Sequence, residues 1–218
     1  MEMGFTSAVY VLAAVLFILS LGGLSGQESA KRAVWYGIAG MALAVSATLF
    51  GPGNGLWWLS LVLIAAGGLV GYQLASKVAM TQMPELVAGM HALVGLAAVF
   101  VGFNTHFELV NLASMDLATM NSLEGFSELL AKKSAVEINI LRVETSLGIW
   151  IGAVTFTGSI IAYGKLAGKV TSTAFKLPGG HFLNAAAALL SILSAVWYLN
   201  SGELLSMIVL TFLALFIG

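Results

Sequence analysis

Long apolar stretches separated by short polar joints dominate this chain. A helical bilayer crossing takes about 20 predominantly apolar residues, and seven segments of the 218-residue chain approach that length. They lie at about 4–24, 33–50, 56–76, 84–103, 143–164, 182–199 and 203–218. Pro84 stands in the first turn of the fourth segment, where a helix tolerates proline. The pattern predicts an all-α, polytopic transmembrane helical bundle with seven spans, formed by residues 1–218 as one domain.

Positively charged side chains divide unevenly between the two ends of these spans. One end receives a larger group, and the other end receives Lys132, Lys133 and Arg142, all within one joint. The larger group consists of Lys31, Arg32, Lys77, Lys165, Lys169 and Lys176. Because cytoplasmic loops carry the excess of lysine and arginine, that end is predicted to be cytoplasmic. The N-terminus is then predicted to lie outside.

The joint over residues 104–142 is the only long one, and the charge distribution assigns it to the outer side. Leu123, Phe126 and Leu130 would share one face of a helix in this segment. The spacing predicts a short interfacial helix on the membrane surface. A solvated loop is the alternative, since Gly125 weakens the helix.

Composition narrows the possible functions. Only 9% of the residues are charged and 59% are hydrophobic, whereas soluble domains carry about 25% charged residues. The net charge of -1 argues neither for nor against a nucleic-acid partner, but the lack of a basic cluster predicts none. The chain has no cysteine, which excludes disulfides and thiolate chemistry. Its three histidines lack metal-ligand spacing, so we expect no metal site.

His91 is the main chemical candidate, because an ionisable side chain inside an apolar run is costly and therefore functional by default. Histidine also gains and loses a proton near neutral pH. Helical steps from His91 reach a stripe of small residues, which mark close contact between helices. The stripe consists of Ala88, Gly95, Ala98 and Gly102. His91 is therefore predicted to face the bundle interior and to carry protons; the alternative is a neutral histidine that bonds a nearby carbonyl and only packs.

Polar side chains on other spans are weaker candidates. Thr155 and Ser159 share a face with Gly148 and Gly152 in the fifth span, so their hydroxyls could hold waters of a proton wire. The alternative is packing, with the hydroxyls bonded to their own helix. Asn184 opens the sixth span, where an interfacial position is expected.

The remaining ionisable side chains lie at span ends. Glu85 opens the fourth span, where the helix dipole favours an acidic side chain. It is six residues from His91, so the two do not share a helix face. His106 and His181 also fall at membrane edges and are expected to be solvated.

Four stretches carry a family resemblance. They are Phe50-Gly-Pro-Gly, Lys77-Val-Ala-Met-Thr-Gln-Met-Pro-Glu-Leu-Val-Ala-Gly-Met-His91, Val94-Gly-Leu-Ala-Ala-Val-Phe-Val-Gly-Phe-Asn104 and Gly152-Ala-Val-Thr-Phe-Thr-Gly-Ser159. These motifs are long and specific, and they closely resemble the membrane portion of the beta subunit of proton-translocating NAD(P) transhydrogenase. The similarity extends from Tyr10 to about Leu199.

The resemblance implies an enzyme that transfers hydride between NAD(H) and NADP(H) in soluble domains and couples this transfer to inward proton passage through the membrane. His91 matches the membrane histidine implicated in proton transfer. Five further residues fall on matching positions, and with Glu85 they are candidates for the proton path: Asn104, Thr155, Thr157, Ser159 and Asn184. By itself this chain is expected to catalyse no hydride transfer and to bind no cofactor.

The resemblance also implies partners. The family's beta membrane portion has nine spans followed by an NADP(H)-binding domain, so two spans and that domain are expected beyond Gly218. Alpha subunits would supply an NAD(H)-binding domain and additional membrane helices. A homodimer of protomers in the bacterial cytoplasmic (inner) membrane is implied, and the loop 104–142 is longer than the family pattern.

Two alternatives stay open from the residues alone. A proton-coupled secondary transporter of a small solute would show inverted repeats and interrupted helices. No convincing repeat relates spans one to three with spans four to six, and Pro84 lies at a helix end. A non-conducting assembly subunit would leave His91 inert.

Overall fold

The computed structural model describes residues 3–51, 56–115, 125–173 and 179–218, most of which are helical. In chain order the helices are α1 (Met3–Leu24), α2 (Ala30–Phe50), α3 (Trp57–Lys77), α4 (Met83–Ser114), α5 (Phe126–Ala131), α6 (Ala135–Leu166), α7 (Gly180–Ser201) and α8 (Leu204–Ile217). A 3₁₀ turn, Met80–Gln82, precedes α4. Each predicted apolar segment falls on one helix, which confirms the all-α prediction.

Most of these helices have the length and composition of membrane spans. Helices α1, α2, α3, α4, α6 and α7 are long and apolar enough to cross a bilayer. The seventh apolar helix, α8, has 14 residues and extends about 21 Å at ~1.5 Å per residue, less than the ~30 Å of bilayer hydrocarbon. Seven apolar helices thus agree with the predicted spans, and the outer position of the N-terminus remains a prediction.

The predicted loop bounds of 104–142 are wrong, because helices continue into that segment from both sides. Helix α4 runs to Ser114 and α6 already begins at Ala135. Each has 32 residues, about 48 Å of helix, which exceeds the ~30 Å hydrocarbon thickness. Falling hydrophobicity after residue 103 therefore does not mark the end of a helix.

A capping box fixes the start of α6. The Ser134 hydroxyl accepts a hydrogen bond from the Glu137 backbone N–H at 3.3 Å. In return, the Glu137 carboxylate accepts one from the Ser134 backbone N–H at 2.7 Å. This reciprocal pair satisfies two N–H groups that the first turn would otherwise leave unbonded.

Helix α5 occupies part of the predicted interfacial helix. It covers six residues, within which Leu130 is buried. Leu123, the first residue of the predicted apolar face, lies outside the described residues. A helix is therefore confirmed at 126–131, and its position at a membrane surface remains a prediction.

The chain forms two compact units, and the first contains α1, α2, most of α3 and α5. Helices α1 and α2 pack through small residues: a Cβ on Gly40 would lie 3.1 Å from the Ala13 carbonyl oxygen. One turn away from the helix ends, the Ser20 hydroxyl donates to the Ala33 carbonyl at 2.7 Å. By contrast, α3 has no buried residue.

The second unit contains α4, α6, α7 and α8. Its central feature is the crossing of α4 and α6, where two glycines bring the backbones together. A Cβ on Gly95 would lie 2.6 Å from the Gly152 carbonyl oxygen, and a Cβ on Gly152 would lie 2.6 Å from the Gly95 carbonyl oxygen. Such close approach is the use that membrane helices make of small residues. It fixes the register of the two helices that carry most of the candidate site.

Candidate functional site

His91 lies on α4 beside the face that packs against α6. The buried residues of that face are Ala92, Gly95, Val99 and Gly102, a spacing of three and four that follows one side of a helix. His91 precedes Ala92 by one residue, about 100° around the helix, and its side chain is exposed. The prediction that His91 faces the bundle interior is therefore wrong for the helices of this chain.

One ring nitrogen of His91 is held by its own helix. Nδ1 lies 3.1 Å from the carbonyl oxygen of Val87, one turn earlier. A carbonyl can only accept, so Nδ1 carries the proton in this hydrogen bond and the neutral ring keeps its lone pair on Nε2. This is the contact expected of a histidine that only packs. It also leaves Nε2 as a proton acceptor directed away from the helix backbone.

Hydroxyl groups on α6 lie at the level of His91. A Cβ on Gly95 would lie 3.1 Å from the Thr155 Cβ, and a Cβ on Gly89 would lie 3.6 Å from the Tyr163 ring. The two contacts bracket His91 on α4 and Ser159 on α6, so the antiparallel pairing brings these two residues to the same level. The half-buried hydroxyls of Thr155 and Ser159 make no hydrogen bond with the described part of the chain, which leaves them able to bind water.

Thr157 differs from these two residues. Its hydroxyl donates to the Ala153 carbonyl of the preceding turn at 3.1 Å. This is the back-bonding that the packing alternative predicts for membrane hydroxyls. Thr157 therefore follows the packing interpretation, whereas Thr155 and Ser159 do not.

The other sequence-predicted candidates lie apart. Glu85 is half-buried in the first turn of α4, and Asn184 is exposed near the start of α7. Asn104 is exposed on α4, 13 residues beyond His91, which is about 20 Å along the helix. Thus Thr155 and Ser159 come near the level of His91, and Asn104 cannot contact His91 within this helix.

A second histidine was misjudged by sequence reasoning. His106 has only 3% of its surface exposed, so the prediction that it is solvated is wrong. Its Nδ1 lies 3.3 Å from the hydroxyl of the fully buried Tyr198 on α7. The signal was present in the sequence, since His106 continues the packing spacing of Val99 and Gly102 by one step. His181, by contrast, is exposed.

The geometry around His91 suits proton transfer better than covalent chemistry. A neutral imidazole nitrogen can accept and release a proton, and nearby hydroxyls can order the water that carries it. Among the described residues there is no group of three or more acidic or histidine side chains arranged to hold a metal ion. The arrangement is therefore one proton-binding group beside hydroxyls in apolar helices.

Comparison with known proteins gives two kinds of match. A family model described as NAD(P) transhydrogenase beta subunit matches residues 6–218. The NAD(P) transhydrogenase subunit beta of Rhodospirillum rubrum is 39% identical over 176 residues, which make up 81% of this chain and 34% of that protein. A protein of the same name from Rhodospirillum rubrum strain ATCC 11170 gives the same values. The chain thus spans about a third of the length of these relatives.

Proposed function

Because the chain belongs to the NAD(P) transhydrogenase beta subunit family, we propose that it forms the membrane part of a proton-translocating NAD(P) transhydrogenase. In this role it couples inward proton passage to hydride transfer between NAD(H) and NADP(H). The hydride transfer takes place in soluble domains outside this chain, and this chain alone does not catalyse it. Family membership gives no support to the transporter alternative.

The observation that carries the proposal is the position of His91. It is an ionisable side chain within an apolar helix long enough to span a membrane. Its Nδ1 is bonded to Val87, which leaves Nε2 to exchange a proton. Ionisable residues inside membrane helices are rare, and those that occur mark ion and proton pathways. His91 is therefore the proton-transfer group of the proposed function.

Thr155 and Ser159 are proposed to hold the water that reaches His91. Their hydroxyls lie at its level on the neighbouring helix and are not bonded to the described residues. Glu85 and Asn184 belong to the same end of the second unit and are weaker candidates for the path. Asn104 and Thr157 are assigned no direct contact with His91.

Partners are proposed to cover the exposed side of His91. Large hydrophobic side chains beside it, such as Met90 and Val94, are also exposed on this chain, and α3 has no buried residue. Additional membrane helices of an alpha subunit and of the remainder of the beta subunit would complete the path. An NADP(H)-binding domain beyond Gly218, an NAD(H)-binding domain on the alpha subunit and a homodimer of protomers complete the proposed assembly.

The N-terminus is proposed to lie on the outer side of the bacterial cytoplasmic membrane, opposite to the cytoplasm. Lys77 ends α3 just before α4 begins, and Lys165 lies in the last turn of α6. Since α4 and α6 are antiparallel, these two lysines lie at the same end of the second unit. A shared positive end supports a cytoplasmic location for it.

The coupling follows from linkage between two sites. A nucleotide domain that changes state with NADP redox would alter the access of His91 to either side of the membrane, and proton binding would then bias the hydride equilibrium by the same free energy. A membrane potential contributes ~2.3 kcal/mol per charge per 100 mV. That free energy shifts a nearly balanced hydride transfer more than tenfold.

Substitution of His91 in the complete, membrane-reconstituted enzyme tests the proposal. His91→Ala removes the proton acceptor and should slow proton-coupled transhydrogenation by about a hundredfold or more, the lower range for loss of a general acid–base group. His181→Ala is the matched control, because that histidine is exposed outside the α4–α6 crossing. Full proton-coupled activity of His91→Ala would refute the assignment.

A further inference from the structure

The end of the second unit remote from His91 contains a cavity of about 200 Å³ with a partly polar lining. It lies between α4, α6 and α7, and its polar lining consists of His106, Arg142, Tyr198 and Ser201. Along α4, His106 is 15 residues from His91, about 22 Å of helix rise. The cavity is therefore separate from the proposed proton-transfer group, and it has no part in the function proposed above.

His106 and Tyr198 together offer a hydrogen-bond donor to this cavity in either tautomer of the histidine. If the Tyr198 hydroxyl donates to Nδ1, across their separation of 3.3 Å, the neutral ring carries its proton on Nε2 and can donate from there. If Nδ1 donates to the tyrosine oxygen instead, the Tyr198 O–H proton is left over. One donor is available in each case. The Ser201 hydroxyl adds no second donor, because it already donates to the Trp197 carbonyl at 3.0 Å.

Arg142 adds a fixed positive charge that forms no ion pair with the described residues. Its side chain lines the cavity and is half-buried. Its guanidinium makes no ion pair or hydrogen bond with the described residues. It lies beside Gly202 at the C-terminal end of α7, where the helix dipole favours a cation but supplies no full counter-charge. None of the described lining residues is acidic. A partly buried charge is costly unless it is paired, which points to a negatively charged ligand.

We propose that this cavity binds a phosphate group. The guanidinium fork matches two phosphate oxygens at once, and the one free donor of the His106–Tyr198 pair is available to a further oxygen. At roughly 30 Å³ per water molecule, the cavity has room for a tetrahedral oxyanion in place of several waters. The group is either the headgroup of a phospholipid or a free phosphate ion, which share this chemistry.

The same charge argues against a proton entrance here. A guanidinium beside His106 repels a proton approaching that ring, as arginines in membrane pores exclude cations. An anion, in contrast, is attracted by Arg142 and can accept from the free donor of the His106–Tyr198 pair. The His106 end of α4 is thus assigned to anion binding and the His91 end to proton transfer.

Native mass spectrometry of the full chain in detergent tests the proposal. The chain is titrated with dioleoylphosphatidylglycerol, and with dioleoylglycerol as the ligand that lacks the phosphate. Arg142→Gln should weaken phospholipid binding about tenfold or more, as expected for loss of a charge-assisted pair. Arg32→Gln, which removes an exposed arginine on α2, should leave it unchanged. Dioleoylglycerol should bind equally to the wild type, to Arg142→Gln and to Arg32→Gln.

Competition identifies the source of the phosphate. Displacement of the lipid by millimolar inorganic phosphate assigns the site to the free ion, and resistance to displacement assigns it to the headgroup; both results support a phosphate site. If Arg142→Gln fails to fold, Arg142→Lys serves instead, since it keeps the charge but loses the bidentate fork and should weaken binding severalfold. Equal phospholipid binding by wild type and the folded cavity variants, or no preference over dioleoylglycerol, would overturn the proposal.

Discussion

The crossing of α4 and α6 makes a quantitative prediction about Gly95. In Gly95→Ala the new methyl group would lie 2.6 Å from the Gly152 carbonyl oxygen and 2.8 Å from the Phe156 backbone nitrogen. Both atoms belong to backbone, so no side-chain rotation relieves the overlap and the two helices must separate. Overpacking of this kind costs about 1–3 kcal/mol, and backbone contact on two sides places Gly95→Ala near the upper end.

Gly148 provides the matched control, because it lies one turn from Gly152 on α6 and a Cβ there would meet nothing within 4 Å. Gly148→Ala should be neutral or stabilising by up to about 1 kcal/mol, the helix propensity difference. Unfolding in detergent by sodium dodecyl sulfate, followed by circular dichroism, measures both variants against wild type. Equal stability of Gly95→Ala and wild type, or an equal loss in Gly148→Ala, would refute this account of the crossing.

Three further predictions concern local structure. Gly202→Ala should lower the free energy of unfolding by about 1–2 kcal/mol, because Gly202 has φ +66, where a side chain is strained; an unchanged denaturation midpoint would contradict this. Ser134→Ala should cost about 1 kcal/mol through loss of the cap, and Ser134→Asp should restore most of it, whereas equal values for the two variants would count against the capping role. Lys132→Met should change the same free energy by less than about 0.5 kcal/mol, since its ion pair with Glu128 is largely exposed; a loss above 1 kcal/mol would show that the pair is structural.

Hydrophobic pattern predicted the apolar helices well and their ends poorly. Pro84, in the first-turn position that a helix tolerates, located the start of α4 within a residue. The far end was missed, because residues 104–114 are polar enough to leave a bilayer yet continue a stable helix. The Ser134-x-x-Glu137 motif would have located the start of α6, since that spacing is the sequence form of the capping box.

The candidate site shows where sequence reasoning stops. The small-residue stripe correctly identified Gly95 and Gly102 as contact positions, but a stripe about 100° wide includes residues on either side of its centre. The packing of α6 against α4 determines that Ala92, and not His91, lies at the centre of the contact face. The spacing along α4 could have predicted the burial of His106, but its hydrogen-bond partner Tyr198 is 92 residues away in sequence, and no periodicity within α4 supplies that partner.

The central claim is that His91 transfers the proton that drives hydride transfer, and proton movement itself tests it most directly. The complete enzyme is reconstituted in liposomes with a pH-sensitive dye, and proton flux is recorded while NADPH reduces an NAD analogue. The account predicts proton flux in step with hydride transfer for wild type and His181→Ala, and none above leak for His91→Ala. If His91→Ala moved as many protons per hydride transferred as the wild type does, this result would contradict the central claim.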